Sequence, residues 1–169
     1  MIVKFWGARG SIPVSGKEYL KYGGATTCVE ITTKSGETII IDAGTGIRKL
    51  GIKISVEKQK NINLIFTHAH WDHIMGFPFF KPLYAKETKI KMFGCPFSQE
   101  SVKGLFSETM RPPYFPVNFN DIKAKISYSK SCEREFMVDT VKITPIPLSH
   151  PNSGLGYKFT EDGKSFVFL

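Results

Sequence analysis

The sequence predicts a single α/β domain made mainly of β-strands. Its 169 residues are enough for one domain with a hydrophobic core, and 41% hydrophobic and 22% charged residues are ordinary for a soluble globular protein. Short apolar runs such as Thr38–Ile41 recur along the chain, separated by turn residues. Two of these turns, Ser35-Gly36 and Asp162-Gly163, are typical of β-hairpins.

The elements follow from these runs in chain order. Strands are predicted at Ile2–Trp6, Cys28–Lys34, Thr38–Ile41, Ile62–Phe66, Lys89–Phe93, Ala124–Ser129, Val141–Leu148, Leu155–Thr160 and Ser165–Leu169. Short helices are predicted at Thr45–Leu50, His73–Pro82 and Ser98–Met110. A long loop that contains several glycines, Gly7–Thr27, connects the first two strands.

Composition favours a cytoplasmic protein without a membrane partner. No apolar run approaches the roughly 20 residues that a membrane-spanning helix needs. The first strand begins next to Met1, which leaves no room for a signal peptide. Cys28, Cys95 and Cys132 form neither a disulfide framework nor a CxxC pair. The net charge of +8 could steer anionic substrates, although a lysine-rich solvated surface is the simpler explanation.

The stretch from Thr67 to His73 is the most informative part of the chain. It contains three of the four histidines and one aspartate, directly after an apolar strand. Imidazole nitrogen and carboxylate oxygen are the ligands that zinc and related divalent ions prefer. His68 and His70 point the same way in extended backbone, so they can hold one ion together. Asp72 and His73 then suit a second ion, roughly 3.5–4 Å from the first.

This motif, His68-x-His70-x-Asp72-His73, resembles the metal-binding signature of the metallo-β-lactamase superfamily. The strand before Asp42 and Gly44 resembles an earlier family motif, and His150 resembles a later metal-binding one. The resemblance covers nearly the whole chain and implies an α/β fold, the four-layer αβ/βα sandwich, with antiparallel or mixed sheets.

Two further segments are similar to the phosphodiesterase-like branch of that superfamily. They are the opening run Phe5–Pro13 and the run Gly23–Thr27. This branch includes the tRNA 3′-processing endonucleases and the phosphoribosyl cyclic phosphodiesterases. The similarity implies a small-molecule or nucleotide phosphodiester as substrate, with RNA as a less supported candidate.

The resemblance also implies that the chain is the N-terminal part of a longer protein. In the family, a strand like Ser165–Leu169 delivers an aspartate that bridges two metals, and a further histidine follows. This chain has no aspartate after Asp162 and no histidine after His150. We therefore expect residues 1–169 to be one portion of a domain whose second half is missing. The strand Ser165–Leu169 and the inward faces of Ile62–Phe66 and Val141–Leu148 should then lack a second sheet to pack on, and this exposed apolar surface should favour self-association. A naturally short homologue is the alternative.

The implied site is a zinc centre with two ions in the complete protein. His68, His70 and His150 would hold the first ion and leave one position open for water. Asp72 and His73 would supply half of the second site. Mn²⁺ and Fe²⁺ suit the same ligands. The implied reaction is hydrolysis by a metal-bound hydroxide, with little or no turnover by this chain alone.

Other residues have weaker indications. Asp42 resembles the family aspartate that supports the metal histidines, although aspartate is also common where a strand turns. Arg9, Ser11 and Arg111 are candidate substrate contacts, Arg111 from an aromatic segment that more often packs on the body of a protein.

Two alternatives to the phosphodiesterase hypothesis remain. The same metals could hydrolyse another ester, a lactone or a thioester. The chain could also be a metal-binding or interaction module without catalysis.

Overall fold

The computed structural model describes residues 1–94, 102–129, 135–151 and 154–169. In these ranges the chain forms two β-sheets that pack face to face, with helices on the other face of the first sheet. The α/β class and the mixed sheet predicted from the sequence are confirmed.

The first sheet has six strands in sequential order. They are β1 (Ile2–Gly7), β2 (Cys28–Thr32), β3 (Thr38–Ile41), β4 (Asn61–Ile65), β5 (Lys89–Phe93) and β6 (Lys125–Tyr128). The first three strands are antiparallel, and β3 to β6 run parallel. The carboxyl ends of the four parallel strands therefore lie at one edge, where α/β sheets commonly place their functional loops.

Three α-helices connect these strands: α1 (Ile47–Val56), α2 (Trp71–Ile74) and α3 (Val102–Thr109). The first helix, Ile47–Val56, is longer than the predicted helix Thr45–Leu50 and begins later in the chain. The predicted helix His73–Pro82 is only partly helical, because α2 gives way to 3-10 turns at Phe77–Phe79 and Lys81–Tyr84. Pro78 and Pro82 explain this, since proline is tolerated at the start of a helix but not in its interior. Of the predicted helix 98–110, residues 98–101 lie outside the described residues.

The second sheet is antiparallel and has the order β10-β9-β8-β7. Its strands are β7 (Phe136–Val138), β8 (Val141–Leu148), β9 (Gly154–Glu161) and β10 (Lys164–Phe168). The sequence analysis missed β7, which has only three residues. The predicted turn at Asp162-Gly163 does connect β9 to β10, and both residues have positive φ, as a type I′ hairpin requires.

Alternation along the strands divides the apolar residues between two cores. Ile40 of β3 packs in the core beneath the helices, with Leu50 of α1 and Phe106 of α3. Its neighbours Ile39 and Ile41 point the other way, into the core between the two sheets. Adjacent strand residues face opposite sides, so a continuous apolar run is the expected pattern for a sheet covered on both faces.

One expectation about packing is wrong. The inward faces of Ile62–Phe66 and Val141–Leu148 were expected to lack the second sheet on which they would pack. Ile65, Val141 and Ile143 instead lie in the same buried cluster. The reason is that β7 to β10 themselves form the second sheet.

The other face of the second sheet is open in the described part of the chain. Lys142, Lys158 and Val167 are exposed there. Self-association of the chain stays a prediction.

In the described ranges no helix is both long enough and apolar enough to cross a membrane. Cys28 is buried and unpaired, whereas Cys95 and Cys132 lie outside the described residues. The cytoplasmic location stays a prediction.

The loop after β3 and the turn after α2 pack tightly against each other. The backbone N–H of Ala43 donates to the carbonyl of His73 at 2.7 Å, and the N–H of Gly76 donates to the carbonyl of Ala43 at 2.8 Å. A Cβ at Gly76 would lie 2.0 Å from the carbonyl oxygen of Gly44. Only glycine allows this approach, which fixes the histidine motif against the end of β3.

We expect Gly76→Ala to lower the free energy of unfolding by about 3 kcal/mol, because the added methyl group must push two backbone segments apart. Its φ of −83° is accessible to alanine, so the loss would report the collision and not backbone strain. Gly10→Ala is the matched control, since a Cβ there meets no atom within 4 Å. Urea denaturation would measure both. Equal stability of the two variants would contradict the close packing.

Candidate metal centre

The four histidines converge from two sheets. His68, His70 and His73 follow β4 of the first sheet, and His150 follows β8 of the second. Two hydrogen bonds join the sheets beside them. Leu155 N–H donates to the Thr67 carbonyl at 3.0 Å, and the buried Tyr157 hydroxyl donates to the Phe66 carbonyl at 3.1 Å. These bonds fix the end of β4 against β9, which leads back to His150.

Three imidazoles form a compact cluster. One nitrogen from each of His68, His70 and His150 lies within 4.8 Å of the others. The Nδ1 atom of His70 is 3.0 Å from Nε2 of His68 and 3.2 Å from Nε2 of His150. Among the histidine, cysteine, aspartate and glutamate side chains of the described residues, this is the one group of three or more with metal-binding spacing. Three neighbouring nitrogens are the donor set of a zinc site with one open position, so the residues fit a divalent ion.

Asp42 lies beneath this cluster and connects its parts. Its side chain is fully buried, and its φ of +60° lies in the left-handed region that aspartate tolerates. The carboxylate accepts three hydrogen bonds: from Thr67 N–H at 2.8 Å, from the Thr67 hydroxyl at 2.8 Å, and from Nδ1 of His73 at 2.7 Å. Three donors offset much of the penalty for burying a charge.

These contacts define which nitrogen of His73 and His68 is free. Nδ1 of His73 donates to Asp42, so Nε2 is the nitrogen left for a metal, and it lies 3.5 Å from Oδ2 of Asp72. The Thr67 hydroxyl gives its proton to Asp42 and therefore accepts from Nδ1 of His68 at 2.9 Å. Nε2 of His68 is then unprotonated and faces His70. Both ring orientations suit metal binding through Nε2.

The electrostatic environment keeps His68 neutral at physiological pH. Burial, reinforced by the neighbouring histidines, lowers the pKa of His68 to about 4. For His73, burial alone lowers the pKa, but the hydrogen bond and charge of Asp42 outweigh it and raise the pKa above its ordinary value. A neutral imidazole is the form that binds metal.

The loop between β1 and β2 reaches the second half of the motif. The backbone N–H of Ser11 donates to Oδ2 of Asp72 at 2.8 Å, and Ser11 has a φ of 68°. Arg9 is exposed, and its guanidinium lies over the ring of Tyr19 at 5.8 Å. The predicted substrate contact Ser11 thus orients a candidate metal ligand through its backbone.

Arg111 is not joined to this cluster. It is exposed after α3, and its carbonyl accepts the N–H groups of Tyr114 and Phe115. No hydrogen bond or ion pair connects it to the four histidines in the described structure.

Thr67 is the site residue that sequence analysis missed. Its position directly before His68 was visible, but its contact with Asp42 depends on the pairing of β3 with β4. The metal-binding and substrate roles of all these residues stay predictions.

Fold and site together define a protein of the metallo-β-lactamase type. A family model described as a beta-lactamase superfamily domain matches residues 37–169, so the chain belongs to that superfamily.

The curated relatives are ribonucleases Z. The chain is 28% identical to a ribonuclease Z from Clostridium acetobutylicum, over 89% of this chain and 47% of that protein. It is 27% identical to a ribonuclease Z from Metallosphaera sedula, over 78% of this chain and 42% of that protein. The predicted resemblance to the phosphodiesterase-like branch is confirmed. The chain spans about half the length of the curated relatives it matches.

Solved structures share the fold. A diphosphatase of the PhnP family has a TM-score of 0.67 and 18% identity, over 93% of this chain and 61% of that chain. The short form of human tRNase Z has a TM-score of 0.61 and 17% identity, over 99% of this chain and 68% of that chain. Zn²⁺-bound PqqB from Methylobacterium extorquens has a TM-score of 0.61 and 14% identity, over 98% of this chain and 61% of that chain.

The Thr67 hydroxyl offers a direct test of this geometry. We expect Thr67→Val, which has nearly the same shape, to weaken zinc binding by about 10- to 100-fold because Nδ1 of His68 loses its acceptor. Thr67→Ser keeps the hydroxyl and should bind zinc like the parent chain. Competition with a chromophoric chelator would measure both affinities, and equal affinities would contradict the proposed orientation of His68.

Proposed function

We propose that this chain carries the first metal site of a divalent-metal-dependent hydrolase that cleaves phosphodiesters. The observation that carries the proposal is the convergence of His68, His70 and His150 beside Asp72 and His73. His68, His70 and His150 would hold one zinc ion, for which Mn²⁺ or Fe²⁺ could substitute. A bound ion would lower the pKa of a coordinated water and polarise the substrate's phosphoryl oxygen.

The chain's own residues prepare this site for that chemistry. Asp42 and Thr67 hold the imidazoles so that lone pairs point into the cluster. Asp72 would orient the attacking water through its carboxylate, which the Ser11 N–H holds in place. His73, fixed by Asp42, would contribute with Asp72 to a second cation. These positions are set before substrate arrives, and that preorganisation favours catalysis.

A phosphodiester substrate is supported by the family and by charge. The curated relatives are named ribonuclease Z, and the net charge of +8 would attract a phosphodiester anion. A nucleotide or another small phosphodiester is the proposed substrate, and RNA is the larger candidate of the same chemistry. Hydrolysis of another ester, a lactone or a thioester on the same metals is the alternative enzyme function. A metal-binding or interaction module without catalysis is the non-enzymatic one.

We further propose that residues 1–169 form one portion of the catalytic domain. The coverage of the relatives supports this, since the match spans only 47% and 42% of their length. In the described residues Asp72 and His73 supply only two side chains for a second ion. The remaining ligands of that ion would come from outside this chain.

The first test is the number of metal ions that the chain binds. We expect about one tightly bound zinc per chain after dialysis, because only the three-histidine group is complete. His70→Ala should reduce this to near zero, and Asp162→Asn, at an exposed turn, should leave it unchanged. Elemental analysis would measure all three. Two tightly held ions in the parent chain, or one in His70→Ala, would contradict the proposed ligand set.

The second test is activity of the complete gene product. We expect hydrolysis of bis(p-nitrophenyl) phosphate with zinc or manganese, and a loss of at least about 100-fold in kcat for Asp72→Asn. An amide is a poor ligand for a cation and does not accept the water's proton. Asp162→Asn is the matched control and should keep the parent rate. Normal activity in Asp72→Asn would exclude the proposed role, and turnover of a lactone but no phosphodiester would favour the alternative.

A further inference from the structure

A groove lined with aromatic side chains lies at α2, the helix that also carries Asp72 and His73 of the histidine motif. Trp71, Phe79, Tyr114 and Phe115 form its walls, and we name these four residues the aromatic groove. Ile74, the last residue of α2, and Met75, which follows it, contribute to the floor of the groove. The cavity has a volume of about 170 Å³. Ligand pockets usually span roughly 300–1,000 Å³, so this one suits a single ring system and not a whole ligand.

The walls of the groove are exposed although they are aromatic. Trp71 is 63% exposed, Phe79 57% and Tyr114 75%. Three large aromatic side chains around one cavity are unusual on a surface that needs no partner, because such clusters mark binding sites. The rings of Phe79 and Phe115 pack edge to face, with centroids 5.6 Å apart. The groove is therefore built in part before anything binds.

Trp71 connects the groove to the histidine motif. Trp71 stands between His70 and Asp72 at the first position of α2. One helical turn then brings Ile74 and Met75 to the same side as Trp71, since residues three and four apart share a helix face. On the other side of the groove, Tyr114 and Phe115 are fixed by a turn in which both N–H groups donate to the Arg111 carbonyl, at 2.9 and 3.0 Å.

The chemistry of the lining selects the occupant. Every side chain that lines the cavity is uncharged, so the groove does not suit the phosphate itself. A flat, uncharged ring attached to that phosphate fits better, because aromatic faces stack on nucleobases without sequence preference. A second copy of the chain fits worse, since stable protein interfaces bury about 800 Å² per partner and this cavity admits one ring.

We propose that the aromatic groove holds a nucleobase of the substrate, stacked on Trp71 and Tyr114 while its phosphodiester lies at the histidine cluster. This inference rests on the proposed function and names the substrate class as a nucleotide phosphodiester. It assigns the segment that contains Arg111 a role in base binding through Tyr114 and Phe115.

Tryptophan fluorescence offers a readout that does not depend on turnover. The chain has two tryptophans. Trp6 is partly buried, with its Nε1–H donating to Glu30 at 2.8 Å and the Lys4 ammonium 4.1 Å from its ring centroid. Trp71 is the exposed one, so a base stacking in the groove should quench mainly Trp71.

The experiment compares adenosine 5′-monophosphate with ribose 5-phosphate, which has the same phosphate and no base. With the zinc-loaded chain, we expect saturable quenching by the nucleotide, at about ten-fold higher affinity than ribose 5-phosphate in calorimetric titration. Tyr114→Ala should reduce that ratio to near one. Trp71→Ala, followed by calorimetry because its fluorophore is lost, should do the same. Tyr128→Ala removes an exposed tyrosine from β6 and should keep the full ratio.

The outcomes separate this inference from the proposed function. Equal affinity for the two ligands, or a normal ratio in both Trp71→Ala and Tyr114→Ala, would overturn the base site even if phosphodiesters are hydrolysed. A base-dependent ratio that both variants abolish would support the site even if no hydrolysis is found. Sedimentation that shows a dimer dissociated by Tyr114→Ala would assign the groove to a second copy and overturn the proposal.

Discussion

The buried carboxylate of Asp42 is the interaction on which the rest of the site depends. It accepts hydrogen bonds from two groups of Thr67 and from His73, and so connects the end of β3, the end of β4 and the second half of the histidine motif. A fully buried charge is stable only when its hydrogen-bonding capacity is used. The network therefore has essentially one arrangement, and that arrangement decides which imidazole nitrogens are free.

The backbone around Asp42 is as constrained as its side chain. Its left-handed φ turns the chain from β3 toward Ala43 and Gly44. A Cβ at Gly44 would lie 2.3 Å from the carbonyl oxygen of Asp72, which shows how closely the two loops approach. The strand-end aspartate, the glycine after it and the histidine motif are thus one packed unit. Changes in any of them would shift the others, because protein interiors at this density transmit small displacements.

Much of this site could be predicted from the sequence, because most of its residues lie close together along the chain. His68 to His73 lie within one short motif, and the apolar strand before them fixes their direction. The contacts of Thr67 and Ser11 could not be predicted, because they depend on strand pairing and on where a long loop returns. The second sheet was misjudged for the same reason. Val141 and Ile143 meet Ile65 only in three dimensions, and the three-residue strand at Phe136–Val138 has too little sequence to show a period.

The buried network and the exposed loops of this site are separate sets of residues. Related structures are described as a diphosphatase and as a tRNase Z, although both share the two-sheet fold. Asp42 and Thr67 are buried and orient His68 and His73, whereas Arg9, Trp71 and Tyr114 are exposed. Exposed loop residues can change without disturbing the carboxylate network beneath them. Under the proposed function, substrate choice would depend on the loop between β1 and β2 and on the aromatic groove, and the histidine cluster would define only the kind of chemistry.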